Sequence, residues 1–242
     1  MHLSGKEPTT EGPDGARNTT RAEPQKWTVT MSDPIGHPTE TTTRALQPRA
    51  ERTRAKLLAA AAAKFDSVGY PLASMTDICT DAETTKGGMY FHFVSKEAVA
   101  QQLVNDWSEE IHRTFADAAE PGTPATRQLA TAFRDLASHV ETDTNLRAGM
   151  KLSLEPSIDG AQHAYWQWVD KTSDIVDRAI ATNEIRDTDT AHRLAWNLCA
   201  GFTGAVQASA ILREDISLTN RIVDAIAAHL PSASQYKIPA TP

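Results

Sequence analysis

A short segment at residues 85–93 most constrains how this chain can fold. It reads Thr-Lys-Gly-Gly-Met-Tyr-Phe-His-Phe, which combines a capping hydroxyl, a lysine, two glycines and a run of aromatic residues. Ser74 predicts the cap of a preceding short helix over residues 75–82, and a tight turn at 83–84 separates the two helices. Two short helices joined by such a turn predict a helix-turn-helix in which Thr85 begins the second helix.

A longer amphipathic helix precedes this pair, over residues 49–68. Within it Leu57, Ala61 and Phe65 recur at intervals of four, and charged residues occupy the opposite face. Gly69 predicts the end of the helix, because glycine readily adopts the left-handed conformation that follows a last helical turn. The first helix of the predicted domain therefore has an apolar side to pack against the helix-turn-helix.

The rest of the chain has the same helical periodicity, and Ser95 predicts the cap of the next helix. No alternating apolar run suggests a strand, so we predict an all-α fold of about nine helices. The further helices are predicted at 96–119, 124–141, 145–154, 161–182, 188–212 and 217–229. The predicted domains are a disordered extension at 1–48, a helix-turn-helix DNA-binding domain at 49–96, a ligand-binding and dimerisation domain at 97–232, and a tail at 233–242.

The extension is predicted to be disordered because residues 1–48 hold six prolines, ten threonines and few large apolar side chains. Such a segment buries too little surface to offset the entropy lost on ordering. It is either an inert extension, with Met31 as an alternative start, or a basic arm that contacts DNA beside the main site. The arm would include Arg52, at its junction with the first helix.

Net charge alone argues against a nucleic-acid partner, because the chain carries −7 at pH 7. Its distribution favours one, since residues 49–96 hold seven basic and five acidic side chains, while the regions on either side are net acidic. Two distant cysteines, Cys79 and Cys199, predict neither a disulfide nor a zinc site and indicate a reducing cytoplasm. No apolar run is long enough for a membrane span, so we expect no membrane partner.

The sequence offers little to support an enzyme. The candidate acid–base groups His112, His139, His163 and Glu155 lie in no nucleophile, phosphate-loop or metal-ligand motif. We therefore predict a protein without catalytic activity, cofactor or metal.

The second helix of the predicted pair suits recognition of the major groove, where the first turn of such a helix meets base edges. Thr85 would cap the helix, Lys86 would reach guanine acceptors, and Gly87 would let the backbone approach the duplex. Aromatic pairs usually belong to a core, so Phe91 and Phe93 are predicted to face inward. The predicted DNA contacts are Arg52, Thr76, Thr85, Lys86, Gly87, Tyr90, His92 and Lys96.

The segment 85–93 and the Lys96-Glu97 pair resemble the recognition-helix signature of the TetR family of bacterial repressors, T-K-G-x-x-Y-x-H-F followed by Lys-Glu. The resemblance covers about residues 49–230 and implies a TetR-like fold that binds pseudo-palindromic operator DNA as a homodimer. One departure concerns the turn, where the family commonly has glycine and this chain has Glu83. Glutamate lacks the freedom of glycine at positive φ and places a negative charge near phosphate.

Leu146-Arg147-Ala148-Gly149-Met150-Lys151-Leu152 and Tyr165-Trp166-Gln167-Trp168 are similar to segments of the γ-butyrolactone receptor branch of that family. This resemblance implies a repressor of antibiotic or secondary-metabolite genes, released by a small lactone, butenolide or furan signal of quorum-sensing type. Buried indole suits such a ligand, because it offers a large apolar area and one N–H donor. The predicted pocket residues are Trp107, Phe133, Met150, Leu154, Tyr165, Trp168 and Thr203.

A stretch dense in small residues, 195–210, suits close helix packing between two protomers, and Ile222, Val223, Ile226 and Leu230 would join it. Each of these residues fits an ordinary intramolecular core equally well. Two other interpretations of the ligand remain open: a TetR-type regulator of another hydrophobic effector, such as a drug or antibiotic intermediate, or an orphan regulator whose tryptophans close its own pocket.

Overall fold

A computed structural model describes residues 40–209, 211 and 216–230, with side chains from residue 48 onward. The all-α prediction is confirmed: the secondary structure of these residues consists of helices alone. Most of the predicted extension and the predicted tail, 1–39 and 233–242, lie outside the described residues. The helices are α1 Glu40–Val68, α2 Met75–Asp81, α3 Lys86–His92, α4 Lys96–Asp117, α5 Ala125–Thr142, α6 Thr144–Leu152, α7 Ala161–Ala181, α8 Asp189–His192, α9 Leu194–Ser209 and α10 Leu218–His229.

Two helix boundaries differ from the sequence prediction. The first helix begins at Glu40 and runs through Pro48, whereas the prediction started it after that proline and assigned 40–48 to the disordered extension. Composition placed the predicted start there, because residues 1–48 are rich in proline and threonine and hold few large apolar side chains. The predicted helix 188–212 divides into α8 and α9 at Arg193, which gives ten helices in the described residues rather than nine.

The predicted caps of α2, α3 and α4 are confirmed. Ser74 Oγ accepts from Asp77 N at 3.1 Å, Thr85 Oγ1 from Gly88 N at 3.1 Å, and Ser95 Oγ from Ala98 N at 3.0 Å. Gly69 has φ +82°, as expected of the residue that ends α1. These starts and stops rest on local hydrogen bonds, which explains why the sequence predicts them well.

Two of the other helices are capped at their first turn by carboxylates from distant parts of the chain. Glu184 accepts from the backbone N–H groups of Ala125 and Thr126 at 3.0 and 2.9 Å, at the first turn of α5. Glu141 does the same for Leu218 at the start of α10, at 3.2 Å. Each carboxylate satisfies N–H groups that have no partner within their own helix and complements the positive end of the helix dipole.

The buried side chains form two clusters. The N-terminal core combines α1–α3 and the first half of α4 with Ala148, Leu152, Ile158, Ala161 and Ala164. The C-terminal core combines the second half of α4, from Trp107 onward, with α5, α7, α9 and α10. Helix α6 contributes to both, because Met150 belongs to the C-terminal core while Ala148 and Leu152 belong to the N-terminal core.

Candidate DNA interface and aromatic pocket

Helix α3 is anchored to the N-terminal core on one side and open on the other. Met89 and Phe93, one turn apart, are buried against α1 and α4. Thr85, Lys86, Gly87 and Tyr90 are exposed, and they belong to the set predicted to meet DNA. A seven-residue helix with a buried anchor and an exposed first turn is suited to placing side chains in a major groove.

The inward orientation predicted for Phe91 is wrong. Its side chain is 79% exposed, while Phe93 is 5% exposed. Successive helical residues are rotated by about 100°, so Phe91 lies on the side opposite to Met89 and Phe93. The ring of His92 contacts the ring of Phe91 edge-on, with centroids 5.0 Å apart. The exposed face of α3 is therefore more aromatic than the sequence interpretation allowed.

The glycines of α3 leave room on its outer side. A methyl group at position 87 would meet only the hydroxyl of Thr85, at 3.9 Å, and one at position 88 would meet the hydroxyls of Thr85 and Thr84 at 3.4 and 3.5 Å. The fold of this chain would therefore tolerate a side chain at Gly87. Packing within the protomer therefore does not require a small residue there.

The turn between α2 and α3 contains a residue in the left-handed conformation, at the position where the family commonly has glycine and this chain has Glu83. Glu83 has φ +52° there, a region that glycine enters without steric cost and glutamate does not. The Glu83 carboxylate also lies 3.8 Å from the ammonium of Lys56, with both side chains exposed. The turn thus keeps the geometry suited to glycine although another residue occupies it.

Three other residues of the predicted DNA-contact set lie outside α3. Thr76 is exposed at the start of α2, and the guanidinium of exposed Arg52 donates to the carbonyl of Pro48 at 3.2 Å. Lys96 differs, because its ammonium donates to the carbonyls of Tyr70 and Ala73 at 2.8 and 3.1 Å. The ammonium also lies over the Tyr70 ring, 4.3 Å from its centroid.

Lys96 therefore ties the turn before α2 to the start of α4, and its charge is engaged within the protein. Arg54, which the sequence analysis did not select, has a comparable position beneath α3. Its guanidinium lies 5.0 Å from the centroid of the Phe93 ring and donates to Gln102 Oε1 at 2.7 Å. Both cations support the geometry of the helix-turn-helix from within.

Five aromatic side chains meet in the C-terminal core, and we call them the aromatic cluster: Trp107, Phe133, Tyr165, Trp168 and Phe202. The ring of Trp168 is central, with the centroids of the other four 5.3 to 5.9 Å away. Phe133 is stacked on Trp168 at 28°, and the other three rings contact it edge-on. These separations and angles are the favourable ones for aromatic pairs.

Both tryptophans of the aromatic cluster contain an unsatisfied donor. Trp107 and Trp168 are completely buried, and among the described residues neither indole N–H has a hydrogen-bond acceptor. A buried N–H without an acceptor loses the hydrogen bond that it makes to water in the unfolded chain, which costs about 1–3 kcal/mol. Buried polar groups are nearly always satisfied in native proteins, so these two donors set the aromatic cluster apart from the rest of the C-terminal core.

Polar groups border the same cluster on its α7–α9 side. Burial and nearby Cys199 raise the pKa of the Tyr165 phenol, and a hydrogen bond with Thr203 partly offsets the rise. The Thr172 hydroxyl lies 3.6 Å from the sulfur of Cys199, whose pKa burial raises to about 12. Cys199 is therefore a protonated, unreactive thiol at neutral pH.

Most of the predicted pocket residues come together here. Met150 belongs to the same core, and Thr203 forms a hydrogen bond with Tyr165 of the cluster. Leu154 does not, because it follows the end of α6 and is 41% exposed. Phe202 was missed, although the helical spacing of α9 places it beside Thr203, with Cys199 one turn earlier. The small residues around Phe202 are typical of close helix packing, so the sequence analysis interpreted this stretch as a possible interface instead.

The residues predicted to join two protomers divide between core and surface. Ile222, Ile226 and Leu230 are buried within the protomer, which supports the intramolecular core, the second of the two alternatives left open for them. The outer face of α9 is open: Trp196 is 56% exposed, and methyl groups at Gly201 and Gly204 would meet nothing within 4 Å. Small residues and one large apolar side chain thus share an exposed helix face.

Comparison with known proteins agrees with this architecture. Residues 57–103, which include the helix-turn-helix, match the model of the family described as bacterial regulatory proteins, tetR family. The chain is 31% identical to the A-factor receptor protein of Streptomyces griseus over 160 residues, which cover 66% of this chain and 56% of that protein. The matched region thus spans little more than half of that relative.

Two solved structures extend the match to most of the chain. A γ-butyrolactone receptor described as ArpA-like has 27% identity and a TM-score of 0.58, covering 77% of this chain and 99% of that one. TylP, a TetR regulator from Streptomyces fradiae, has 30% identity and a TM-score of 0.55, covering 78% and 81%. The chain belongs to the TetR family of transcriptional regulators, and its resemblance to the γ-butyrolactone receptors within that family is confirmed.

Proposed function

We propose that this regulator represses transcription by binding a pseudo-palindromic operator as a dimer, and that a small signalling molecule releases it. The observation that carries the proposal is the pair of buried indole N–H groups without acceptors, in a core reached through α4 from the helix-turn-helix. A DNA reader alone needs no such site. The ligand class we propose is a γ-butyrolactone, butenolide or furan with an apolar body, and the controlled genes serve secondary metabolism or antibiotic production.

The proposed DNA contacts are the exposed residues at the first turn of α3 and their neighbours. Lys86 would read guanine acceptors, Thr85 and Tyr90 would contact bases or phosphates, and Gly87 would allow close approach of the backbone. Thr76, His92 and Arg52 would contact phosphate. Lys96 is better assigned to the support of this surface, because its ammonium already binds two carbonyls.

The proposed ligand contacts follow from the donors in the aromatic cluster. A lactone, ester or furan oxygen accepts a hydrogen bond, which is what the indoles of Trp107 and Trp168 require. Phe133, Met150 and Phe202 would contact the apolar part of the ligand, and Tyr165 and Thr203 would supply further polar contacts. Leu154 is omitted, because it is exposed beyond the end of α6.

A dimer suits both the operator and the exposed face of α9. Two recognition helices read half-sites about 34–36 Å apart, one turn of DNA. We propose that α9 packs against its counterpart in the partner protomer through Trp196, Gly201 and Gly204, whose open surroundings allow close helix contact. Ligand binding would then favour a dimer with a different separation of the recognition helices, limited by the difference in ligand affinity between the two states.

Fluorescence anisotropy tests the proposal directly, with labelled duplexes from the upstream region of the chain's own gene. We expect saturable, salt-sensitive binding that a solvent extract of the native culture reverses. Lys86→Ala should weaken binding, while Lys171→Ala, on α7, serves as a control that also removes one lysine charge. Absence of sequence-specific binding by the native protein would refute the proposal.

An orphan regulator is the second candidate, because the rings around Trp168 are already within 5.3–5.9 Å of it and fill the space that a ligand would use. Intrinsic fluorescence separates the two candidates. Replacing Trp27, Trp166 and Trp196 by Phe leaves only the two buried indoles as emitters. Extract that reverses DNA binding should shift their emission, whereas an orphan would show no change in either signal.

We also propose that the protein is not an enzyme and acts in the cytoplasm, where operator DNA is located. The relatives are named as receptors and regulators, which supports the first point. Two of the four candidate acid–base groups have a local partner: His139 Nδ1 lies 2.5 Å from Glu110, and Glu155 accepts from the hydroxyl of Ser157 at 2.7 Å. Within the described ranges no helix has the length and apolar character needed to cross a membrane.

A further inference from the structure

One carboxylate on α1 binds two cations on α6. Asp66 Oδ2 accepts from Arg147 Nε at 3.1 Å, and Asp66 Oδ1 accepts from Lys151 Nζ at 2.6 Å. Asp66 lies in the last turn of α1, three residues before the glycine that ends it. Arg147 and Lys151 are one helical turn apart, so the single carboxylate spans that turn of α6. The contact joins a helix of the DNA-binding region to a helix that follows α5.

Arg147 is held on its other side as well. Its guanidinium donates to the carbonyl of Val140 at 2.9 Å and to the hydroxyl of Thr144 at 3.0 Å. These partners lie at the end of α5 and the start of α6, and α5 also contains Phe133 of the aromatic cluster. The guanidinium therefore connects Asp66 with the helix that supports one wall of the aromatic cluster.

Helix α6 packs directly against α4 at Gly149. A methyl group at Gly149 would lie 2.2 Å from the backbone oxygen of Leu103 and 2.9 Å from Cβ of Trp107, so the two helices touch through backbone atoms. Interiors packed at this density transmit a displacement rather than absorb it. A shift of Trp107 toward α6 would therefore displace α6, and with it Arg147 and Lys151.

The Asp66 carboxylate of this contact keeps its charge at neutral pH. Burial alone would raise the pKa of Asp66, but hydrogen bonds from Lys151 and Arg147 outweigh it, and the pKa lies below its ordinary value. The side chains are 19–25% exposed, so bulk water screens the attraction only in part. The contact therefore consists of two salt bridges from one carboxylate, to Arg147 and to Lys151, rather than of a neutral hydrogen bond.

We propose that Asp66, Arg147 and Lys151 form an interdomain clamp, in which Asp66 is the positioning residue that makes the helix-turn-helix follow the movement of α6. The inference rests on the proposed function and adds the route by which the aromatic cluster reaches the DNA reader. Trp107 displaces α6 through Gly149, and α6 displaces the end of α1 through the clamp. Because α1 packs on α2 and α3 in the N-terminal core, the recognition helix moves with it.

A second ion pair provides a matched control. Lys64 on α1 and Asp81 on α2 are 3.0 Å apart, so Asp81→Asn removes a carboxylate of the same size from the same part of the protein. That pair lies wholly within the helix-turn-helix region and joins it to nothing else. Asp66→Asn and Asp81→Asn therefore differ in whether the broken contact crosses to α6.

The experiment measures a distance within one protomer of the full-length protein. Spin labels are placed on cysteines introduced at Phe91 and Trp166, which are exposed on α3 and α7, and labelled chains are diluted with unlabelled protein. The two native cysteines are buried and do not compete for label. We expect one narrow distance distribution for the parent and for Asp81→Asn, and a broader or shifted one for Asp66→Asn. Asp66→Glu, which keeps the carboxylate, should restore most of the parent distribution.

Operator affinity of the unlabelled variants gives a second readout. Asp66→Asn should weaken binding about 5- to 150-fold, the range of typical coupling between sites, while Asp81→Asn stays near the parent. If Asp66→Asn fails to fold, Lys151→Gln removes one arm of the clamp and is tested in the same way. A folded clamp variant with an unchanged distance distribution would overturn the inference. Failure of the native protein to bind any operator would instead refute the proposed function, and the distance measurement would still decide on the clamp.

Discussion

Two aromatic segments of similar composition lie in different cores of this protein. Tyr90-Phe91-His92-Phe93 ends α3, and Tyr165-Trp166-Gln167-Trp168 lies in the first half of α7. In both segments the fourth residue is buried and the second is exposed: Phe93 and Trp168 are 5% and 0% exposed, Phe91 and Trp166 79% and 57%. The helical rotation of about 100° per residue produces the same division in both.

The buried members differ in what they leave unsatisfied. Phe93 has no polar atom, and its ring accepts the guanidinium of Arg54 at 5.0 Å, so its burial completes a local core. Trp168 brings an N–H into a core where, among the described residues, nothing accepts it. The first segment is therefore stable as it stands, and its exposed side is available for DNA. The second keeps an unsatisfied donor at its buried side, and the proposed ligand site is built on that donor.

The largest effect is expected from breaking the burial in the first segment. Phe93→Ala should lower the free energy of unfolding by about 3–5 kcal/mol, because it removes a buried aromatic ring from the N-terminal core. Phe91→Ala should change it by no more than about 0.5 kcal/mol, since that ring is exposed. Urea unfolding followed by circular dichroism measures both, and similar losses for the two variants would contradict the division between the faces of α3.

A conservative change tests the donor in the second segment. Trp168→Phe keeps an aromatic ring but removes the N–H, so affinity for a γ-butyrolactone probe should fall by about 1–3 kcal/mol while operator affinity stays near the native value. Trp166→Phe removes the same group from the exposed neighbour and serves as the control. Isothermal titration with the probe measures the difference. Equal affinities for the two variants would remove the Trp168 donor from the proposed site.

Local chemistry explains which features of these regions were predictable. Ser74, Thr85 and Ser95 cap their helices as predicted, because a capping bond joins residues three apart and leaves its pattern in the sequence. The same capping bond fixes where α3 begins, so the sequence also predicts which residues lie in its first turn. Phe91 was misplaced because composition indicates that an aromatic belongs to a core but not which face of a short helix meets it.

Long-range contacts explain the remaining errors. The sequence left the apolar residues of α10 open between an interface and a core, because it does not indicate which helices are neighbours, and in the structure Ile222 and Ile226 lie in the core with α5 and α9. The capping of α5 by Glu184 joins residues 58 and 59 apart in the chain, as no local pattern can. The unsatisfied indole donors were likewise not predictable, because they depend on the side chains that four helices, α4, α5, α7 and α9, place around them.

A smaller effect is expected from the turn before α3. Glu83→Gly should raise the free energy of unfolding by up to about 1 kcal/mol, because glycine adopts φ +52° without the steric cost that glutamate incurs. Operator affinity should also increase, since a negative charge near the phosphates is removed. Glu83→Gln is the control that removes only the charge. A glycine variant no more stable than the glutamine variant would show that the backbone at this position is not strained.

The smallest effect is expected from low pH. It should destabilise the helices around the second segment while leaving the helix of the first segment unchanged. Burial would raise the pKa of Glu184, but hydrogen bonds from Thr126, Ala125 and Thr182 lower it below its usual value. A carboxyl whose pKa is lower in the folded state stabilises the protein above its unfolded pKa of about 4.3, and that contribution is lost as pH falls through the folded value.

Glu184 follows the end of α7 and caps α5, so its protonation should loosen the helices around the aromatic cluster, whereas the cap of α3 is the neutral hydroxyl of Thr85. Hydrogen exchange at pH 6 and pH 3.5, corrected for the intrinsic rate, should show a greater loss of protection at the start of α5 than in α3. Glu184→Gln should lose most of this pH dependence, while Glu120→Gln, an exposed control, should keep it. Equal acid sensitivity in Glu184→Gln and the parent would show that the contact between α7 and α5 does not depend on this charge.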